Sequence, residues 1–221
     1  IHASTNKLDI FLCFVDDSKN NKTEIQIKTY CKNRFHIIRG ALNKSIKISK
    51  RCFASRQGFM WLNNNFKTDI YVEIDSDLAQ KPEEIMRGYD LMNSKKYDLV
   101  IASKYKKFSQ IKNRSQTRNF ISFFYTKICR LFFSKKITDY SNSYRFYNKN
   151  LMNFILENKK LRFESPIEHL DLLLFILKNN FLIGEFASIY EERERGESTI
   201  KYNDYPIYIL EFIKCIFKNL I

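Results

Sequence analysis

Glycine and proline are scarce: five Gly and three Pro in 221 residues. That excludes collagen-like repeats and Pro-rich linker material. Cysteine is sparse and scattered, at Cys13, Cys31, Cys52, Cys129 and Cys215. The number is odd and no C-x-x-C pair occurs, so neither a zinc knuckle nor a disulfide framework is signalled. Reduced thiols in a cytosolic protein are the plain reading. The three histidines, His2, His36 and His169, lack metal-ligand spacing and read as structural or surface residues. Neither G-x-x-x-x-G-K-[ST] nor G-x-G-x-x-G is present, which argues against either of those nucleotide folds. Residues 1–15 carry no basic region followed by an apolar run and a cleavage site, so no signal peptide is expected. No repeat of 20–50 residues is visible.

Aromatic residues are plentiful, with twenty Phe and thirteen Tyr, and hydrophobic residues make up 44%. This composition excludes an intrinsically disordered polymer. The length is that of one domain, able to bury a core without staples. Thirty-eight Lys and Arg against twenty-four Asp and Glu give a net charge of +14. Such a surface attracts phosphates, whether of nucleic acid, anionic lipid or a phosphorylated substrate.

The pattern alternates short apolar runs with longer helical stretches. Ile10 to Val15 is a continuous apolar run stopping at Asp16-Asp17-Ser18, and reads as a buried strand feeding a turn. Further strands are expected at Phe35–Ile38, Asp69–Ile74 and Tyr97–Ala102. Helices are expected over about 20–32 and 49–63, and from Pro82, where proline and two acids mark a first turn. Strands separated by helices imply an α/β sheet with parallel pairs. The tail from Tyr205 to Ile221 carries only Glu211, Lys214 and Lys218 as charges, at helical spacing. It is shorter than the roughly 20 residues that span a bilayer and reads as an in-plane amphipathic helix or as the first part of a membrane segment.

Asp75 and Asp77 are the most informative pair. Side chains two apart in an extended segment point the same way, so two carboxylates leaving a strand end can converge. Ligands of open α/β sheets sit at the carboxyl ends of the strands. One or two carboxylates plus substrate phosphates is the usual setting for Mg²⁺ in phosphate-handling enzymes, and Mn²⁺ takes the same kind of oxygen ligands. A second acidic turn, Asp16-Asp17-Ser18, also follows a buried strand; in a single parallel sheet both turns would share one edge.

Five ordered segments resemble family 2 glycosyltransferases of the GT-A fold. Val15-Asp16-Asp17-Ser18 with Lys22-Thr23 is similar to "VDDgS-x-dgT", and Asp75-Ser76-Asp77-Leu78 with Pro82-Glu83 is similar to the "DADLxxxPe" metal motif. Asp98 to Tyr105 resembles "diVxgsRY", Asp139 to Tyr147 resembles "DxtsgfRxY", and Glu185 to Ser198 resembles "EvPixyxxRxxGeSK". The ordered set is similar to the dolichol-phosphate mannosyltransferase-like branch. It implies transfer of one sugar, with inversion, from a nucleoside-diphosphate sugar to a polyprenyl phosphate, in cell-envelope glycan synthesis. It also implies roles. Asp16 or Asp17 would contact the nucleoside, Asp75 and Asp77 would hold Mg²⁺ or Mn²⁺, and Lys104 and Arg193 would meet phosphates. Nothing before Ile10 matches the family's opening strand, so its first βα unit is expected to be missing. Ala79 stands where the family often has Gln, and Thr199 where it has Lys.

A phosphate acceptor fits the charge. A phosphate monoester is mostly dianionic at neutral pH and needs no general base, so positioning and electrostatics dominate. Lys104, Lys106, Lys107, Lys112, Arg114 and Arg118 lie within fifteen residues. Arg118, just before the aromatic helix Phe120–Phe133, is the candidate to catch a lipid phosphate. Glu168 is the alternative base should the acceptor be a glycan hydroxyl. The basic residues cluster beside the expected acceptor region rather than along a groove-sized helix, which argues against nucleic acid. The expected organisation is a GT-A domain over 1–203 and an amphipathic helix over 204–221. The expected location is the cytoplasmic face of a membrane.

Overall fold

The computed structural model describes residues 8–16, 18, 20–39, 50–158, 161, 167–192 and 205–220. Asp17 and Arg193, and the Gly-x-Ser segment after Arg193, lie outside them. Eight strands and seven helices follow in chain order among the described residues. They are β1 (Leu12–Asp16), α1 (Lys22–Tyr30), β2 (Phe35–Arg39), α2 (Lys50–Asn65), β3 (Ile70–Glu73), α3 (Ile85–Lys95), β4 (Leu99–Ser103), β5 (Gln110–Lys112), α4 (Gln116–Phe132), β6 (Arg145–Asn148), α5 (Lys149–Glu157), α6 (Glu168–Lys178), β7 (Ile183–Ala187), β8 (Ile189–Glu191) and α7 (Tyr205–Leu220). A 3-10 turn, Pro82–Glu84, leads into α3.

The central sheet has the order β3-β6-β4-β7. β4 and β7 are parallel, while β6 lies antiparallel between β3 and β4. Three of the four strands therefore run one way and β6 opposes them. The expected parallel pairs also occur in β1–β2 and β5–β8. One expectation fails. The Asp16 and Asp75 turns do not share a sheet edge, because β1 pairs only with β2 among the described residues and β3 belongs to the central sheet. The antiparallel β6 escapes the sequence pattern because it follows the long α4 and an irregular loop rather than a strand–helix–strand crossover.

β4 is buried along its whole length. Its side chains alternate between two apolar layers, as strand geometry requires. Leu99 and Ile101 join a layer built with α5, α6, Cys129 of α4 and Cys215 of α7. Val100 and Ala102 join a second layer with Ile85 and Met92 of α3 and with Tyr144, Phe146 and Phe186. This places helices on both faces of the sheet.

Gly88 of α3 is where that helix meets the sheet most closely. A Cβ there would fall inside the van der Waals surface of the Phe146 ring, which is wholly buried. Replacing glycine by alanine in a helix normally gains up to about 1 kcal/mol. Here the clash dominates, and Gly88→Ala is expected to cost about 1–3 kcal/mol, the usual range for overpacking. Urea denaturation checks the sign; a variant more stable than the parent would show that α3 can slide away from Phe146.

Candidate functional site

The acidic turn follows β3 and is pinned from several sides. The Asp75 amide donates to Gln80 Oε1 at 2.8 Å. Asp75 Oδ2 accepts from Ser143 Oγ at 3.0 Å and from Gln80 Nε2 at 3.3 Å. Gln80 Nε2 also reaches Ser143 Oγ and Asn142 Oδ1. Asp77 Oδ1 accepts the Ala79 amide at 3.1 Å, the short-range bond that aspartate offers turns. Leu78 between them is left-handed at φ 62°. Such strain persists only where the surroundings enforce it, and it clusters at functional sites. Here the Ala79 carbonyl accepts the Glu191 amide, and Gln80 bridges to Tyr190, fastening the turn to β8.

Asp75 Oδ1 carries an ion pair that the sequence did not reveal. Arg51, in the first turn of α2, places Nη2 2.5 Å from it. Although the Arg51 side chain is 43% exposed, desolvation on its inner side works against its charge; Asp75, Glu73, Glu168 and Asp77 together outweigh that, so the guanidinium is held more firmly protonated than usual.

Tyr190 connects this turn to the basic segment. Burial raises its pKa; Arg114 lowers it, and Glu192, Asp77 and Asp75 add to the rise. Lys104 Nζ lies 5.6 Å and the Arg114 guanidinium 5.2 Å from the Tyr190 ring centre, within cation–π range. Arg118 Nη1 is 2.6 Å from Glu192 Oε1, and Arg114 Nε is 3.7 Å from Glu192 Oε2. Arg118 sits at the third position of α4, where its amide donates to the Ser115 cap. The basic run thus splits by role. Arg114 and Arg118 converge on Glu192. Lys106 bonds the Glu185 carbonyl, and Lys107 lies over the Phe108 ring.

Lys104 is buried rather than displayed. Its Nζ donates to Ser141 Oγ at 2.7 Å and lies 3.4 Å from Asp139. Desolvation pulls its pKa down, and Asp139 only partly restores it. Asp139, wholly buried, accepts from the amides of Lys104, Ser141 and Asn142 as well. Glu185 of β7 holds the same loop by accepting from the Thr138 and Asp139 amides and the Thr138 hydroxyl. This network positions Asn142 and Ser143 against Gln80 and Asp75. The loop segment that resembles the family's fourth motif is therefore scaffolding for the acidic turn.

Asp16 ends β1 on the other sheet. Its Oδ1 accepts the Ser18 amide at 2.9 Å. Its Oδ2 is buried with no hydrogen bond among the described residues, and Arg39 Nε stands 3.9 Å away. Glu168 begins α6 and is buried, close enough to Arg51 to act on its charge. His169 beside it is half-buried, and desolvation of its ring pushes its pKa well below the ordinary value, with Arg51, Arg145 and Lys104 adding to the effect.

For a divalent ion, the donor set is decisive. Asp75 and Asp77 offer hard carboxylate oxygens on one turn, and among the described residues no group of three or more His, Cys, Asp or Glu converges to enclose a metal. That fits Mg²⁺ or Mn²⁺ completed by water and substrate oxygens, and does not fit a fully protein-caged ion.

A protein-family model described as glycosyl transferase family 2 matches residues 2–156. The chain belongs to that family. A solved structure of glucosyl-3-phosphoglycerate synthase from Mycobacterium tuberculosis, in complex with uridine diphosphate, is similar to it with a TM-score of 0.60 and 12% identity, covering 99% of this chain and 82% of that one. The likeness is one of fold, and the fold is GT-A. Within it, sequence reasoning missed Arg51, Gln80, Tyr190 and Glu192. Gln80 had a signal: it stands one position after Ala79, the place where the family often has glutamine.

Proposed function

We propose that this glycosyltransferase moves a mannose- or glucose-type sugar from a nucleoside-diphosphate sugar onto a polyprenyl phosphate, inverting the anomeric carbon. The observation that carries the proposal is the junction at Tyr190 of an acidic turn with a basic wall of Arg114, Arg118 and Lys104. Asp75 and Asp77 would hold Mg²⁺ or Mn²⁺, which when bound neutralises charge on the departing diphosphate, worth several kcal/mol in the transition state. An acceptor phosphate oxygen forms the bond to the anomeric carbon as the bond to the diphosphate oxygen breaks. The electron pair leaves with the nucleoside diphosphate, and no proton need move. The residues therefore orient and screen. Arg118, half exposed, can exchange Glu192 for the acceptor phosphate. Arg114, and Lys104 from within the wall, add positive potential. Asp16, whose Oδ2 has no hydrogen bond among the described residues and only the Arg39 guanidinium 3.9 Å away, is suited to a donor from the nucleoside. Asp17 and Arg193 keep the roles that the family resemblance implies.

A lipid acceptor is supported by the outer surface. α4 exposes Phe120, Phe124 and Leu131, which fall on one face, with Lys127 beside them. α7 packs its Tyr208, Phe212 and Cys215 side onto the domain, and the Tyr125 ring of α4 meets that of Phe212 at a tilt, with centroids 5.1 Å apart. Its Ile209, Ile213 and Phe217 remain exposed. No helix among the described residues is long and apolar enough to cross a membrane. Aromatic and aliphatic faces flanked by lysines are what in-plane membrane helices present.

The test is transfer of labelled sugar with Mn²⁺, from GDP- and UDP-linked mannose and glucose, offering polyprenyl phosphate in anionic vesicles or soluble glycans. Product in the lipid phase is the expected result. Product only on glycans, lost in Glu168→Gln, would replace this reading with a hydroxyl acceptor activated by Glu168, whose carboxylate also acts on Arg51.

A further inference from the structure

Arg51 occupies the one oxygen of Asp75 that is left for a metal. Oδ2 is taken by Ser143 and Gln80, and Gln80 also clamps the Asp75 backbone amide, so the carboxylate is locked against turning. Oδ1 faces Arg51 at 2.5 Å. The guanidinium also acts on Glu73, Glu168 and Asp77, so four carboxylates share its charge. An ion that bound Asp75 Oδ1 beside this guanidinium would place three positive charges within a few ångströms, an arrangement that strongly disfavours the metal.

We propose that Arg51 is a resident counter-cation of the metal site: it neutralises Asp75 while no metal is bound and must withdraw for a divalent ion to bind. Arg51 then sets metal affinity and keeps the acidic turn from repelling itself apart. Its place at the exposed first turn of α2 allows the withdrawal, since the side chain is 43% exposed and can swing toward solvent. The inference rests on the reading that Asp75 and Asp77 bind the metal.

The test is Mn²⁺ binding to the full chain, followed by loss of the free-ion electron paramagnetic resonance signal. Arg51→Gln is expected to tighten Mn²⁺ binding about tenfold or more, because one unit of competing charge is gone. Arg51→Lys, which keeps the charge, is expected to bind close to the parent. A second measurement needs no variant: arginine-specific modification by phenylglyoxal, mapped by peptide mass. Saturating Mn²⁺ is expected to raise the rate at Arg51. Equal affinities in parent and Arg51→Gln, or an Arg51 no more reactive with Mn²⁺ bound, would overturn the counter-cation role and leave the metal site standing. Absence of Mn²⁺ binding in both proteins would remove the metal site itself, and the inference with it.

Discussion

Asp75→Asn combined with Asp77→Asn leaves a folded protein whose sugar transfer is reduced about a hundredfold or more. The expected size follows from the several kcal/mol that a metal contributes to a developing diphosphate charge, at about tenfold in rate per 1.4 kcal/mol. The fold should survive because asparagine keeps one acceptor oxygen at each position, although position 75 loses one of the two that Asp75 uses. The amide oxygen of an asparagine at position 77 can still accept the Ala79 amide, and that of an asparagine at position 75 can still accept from Ser143 or Arg51. Charge is what changes. Initial rates at saturating donor and a range of Mn²⁺ concentrations would check the loss, with thermal melts confirming the fold. Unchanged turnover at unchanged stability would remove the metal from the reaction and leave these acids a structural role.

Much of this arrangement was legible in the sequence, for identifiable reasons. The runs Ile10–Val15 and Leu99–Ala102 are unbroken and apolar, and Ile70–Val72 is interrupted only at Glu73, so the strands could be read directly, though β4 alone of the three is buried along its whole length. The acidic pair lies at local spacing, and local spacing survives folding. Long-range pairings left no such trace. Arg51 and Asp75 are 24 residues apart, and nothing in the neighbourhood of Arg51 marks it as the partner of that acid. Tyr190 and Glu192 meet Lys104, Arg114 and Arg118 only because β8 pairs with β5. The basic run reads as one surface in the sequence, yet Lys104 turns inward to Asp139 while Arg118 stays half exposed. Burial of Lys104 is set by Asp139, 35 residues on, a partner that composition cannot name.

The same partnership yields the largest expected stability effect. Asp139→Ala strands the Lys104 ammonium, 5% exposed, without its counter-charge, and leaves the amides of Lys104, Ser141 and Asn142 short of an acceptor. Removing one partner of a buried pair costs about 3–5 kcal/mol. At about 2–4 °C per kcal/mol for a chain of this size, the melting temperature should fall by roughly 6–20 °C. Asn142 and Ser143 would loosen with the loop and release Gln80 and Asp75, so transfer should fall even well below the melting point. The pH dependence separates charge from packing. Burial alone would raise the Asp139 pKa, but the Lys104 ammonium and the surrounding N–H donors overrule it and hold it below its ordinary 3.8. A depressed carboxylate stabilises the fold fully above its unfolded value, and that contribution is lost as pH falls through the folded value. Glu185 has the opposite sign, since burial raises its pKa and its contribution weakens as pH rises. Both proteins retain Glu185, so to first order it cancels in their difference. The stability gap between parent and Asp139→Asn, measured by urea denaturation, should therefore be constant near neutrality and narrow below about pH 4. A gap that stayed constant through that range would mean that Asp139 holds the loop by shape and hydrogen bonds alone, with no electrostatic contribution from Lys104.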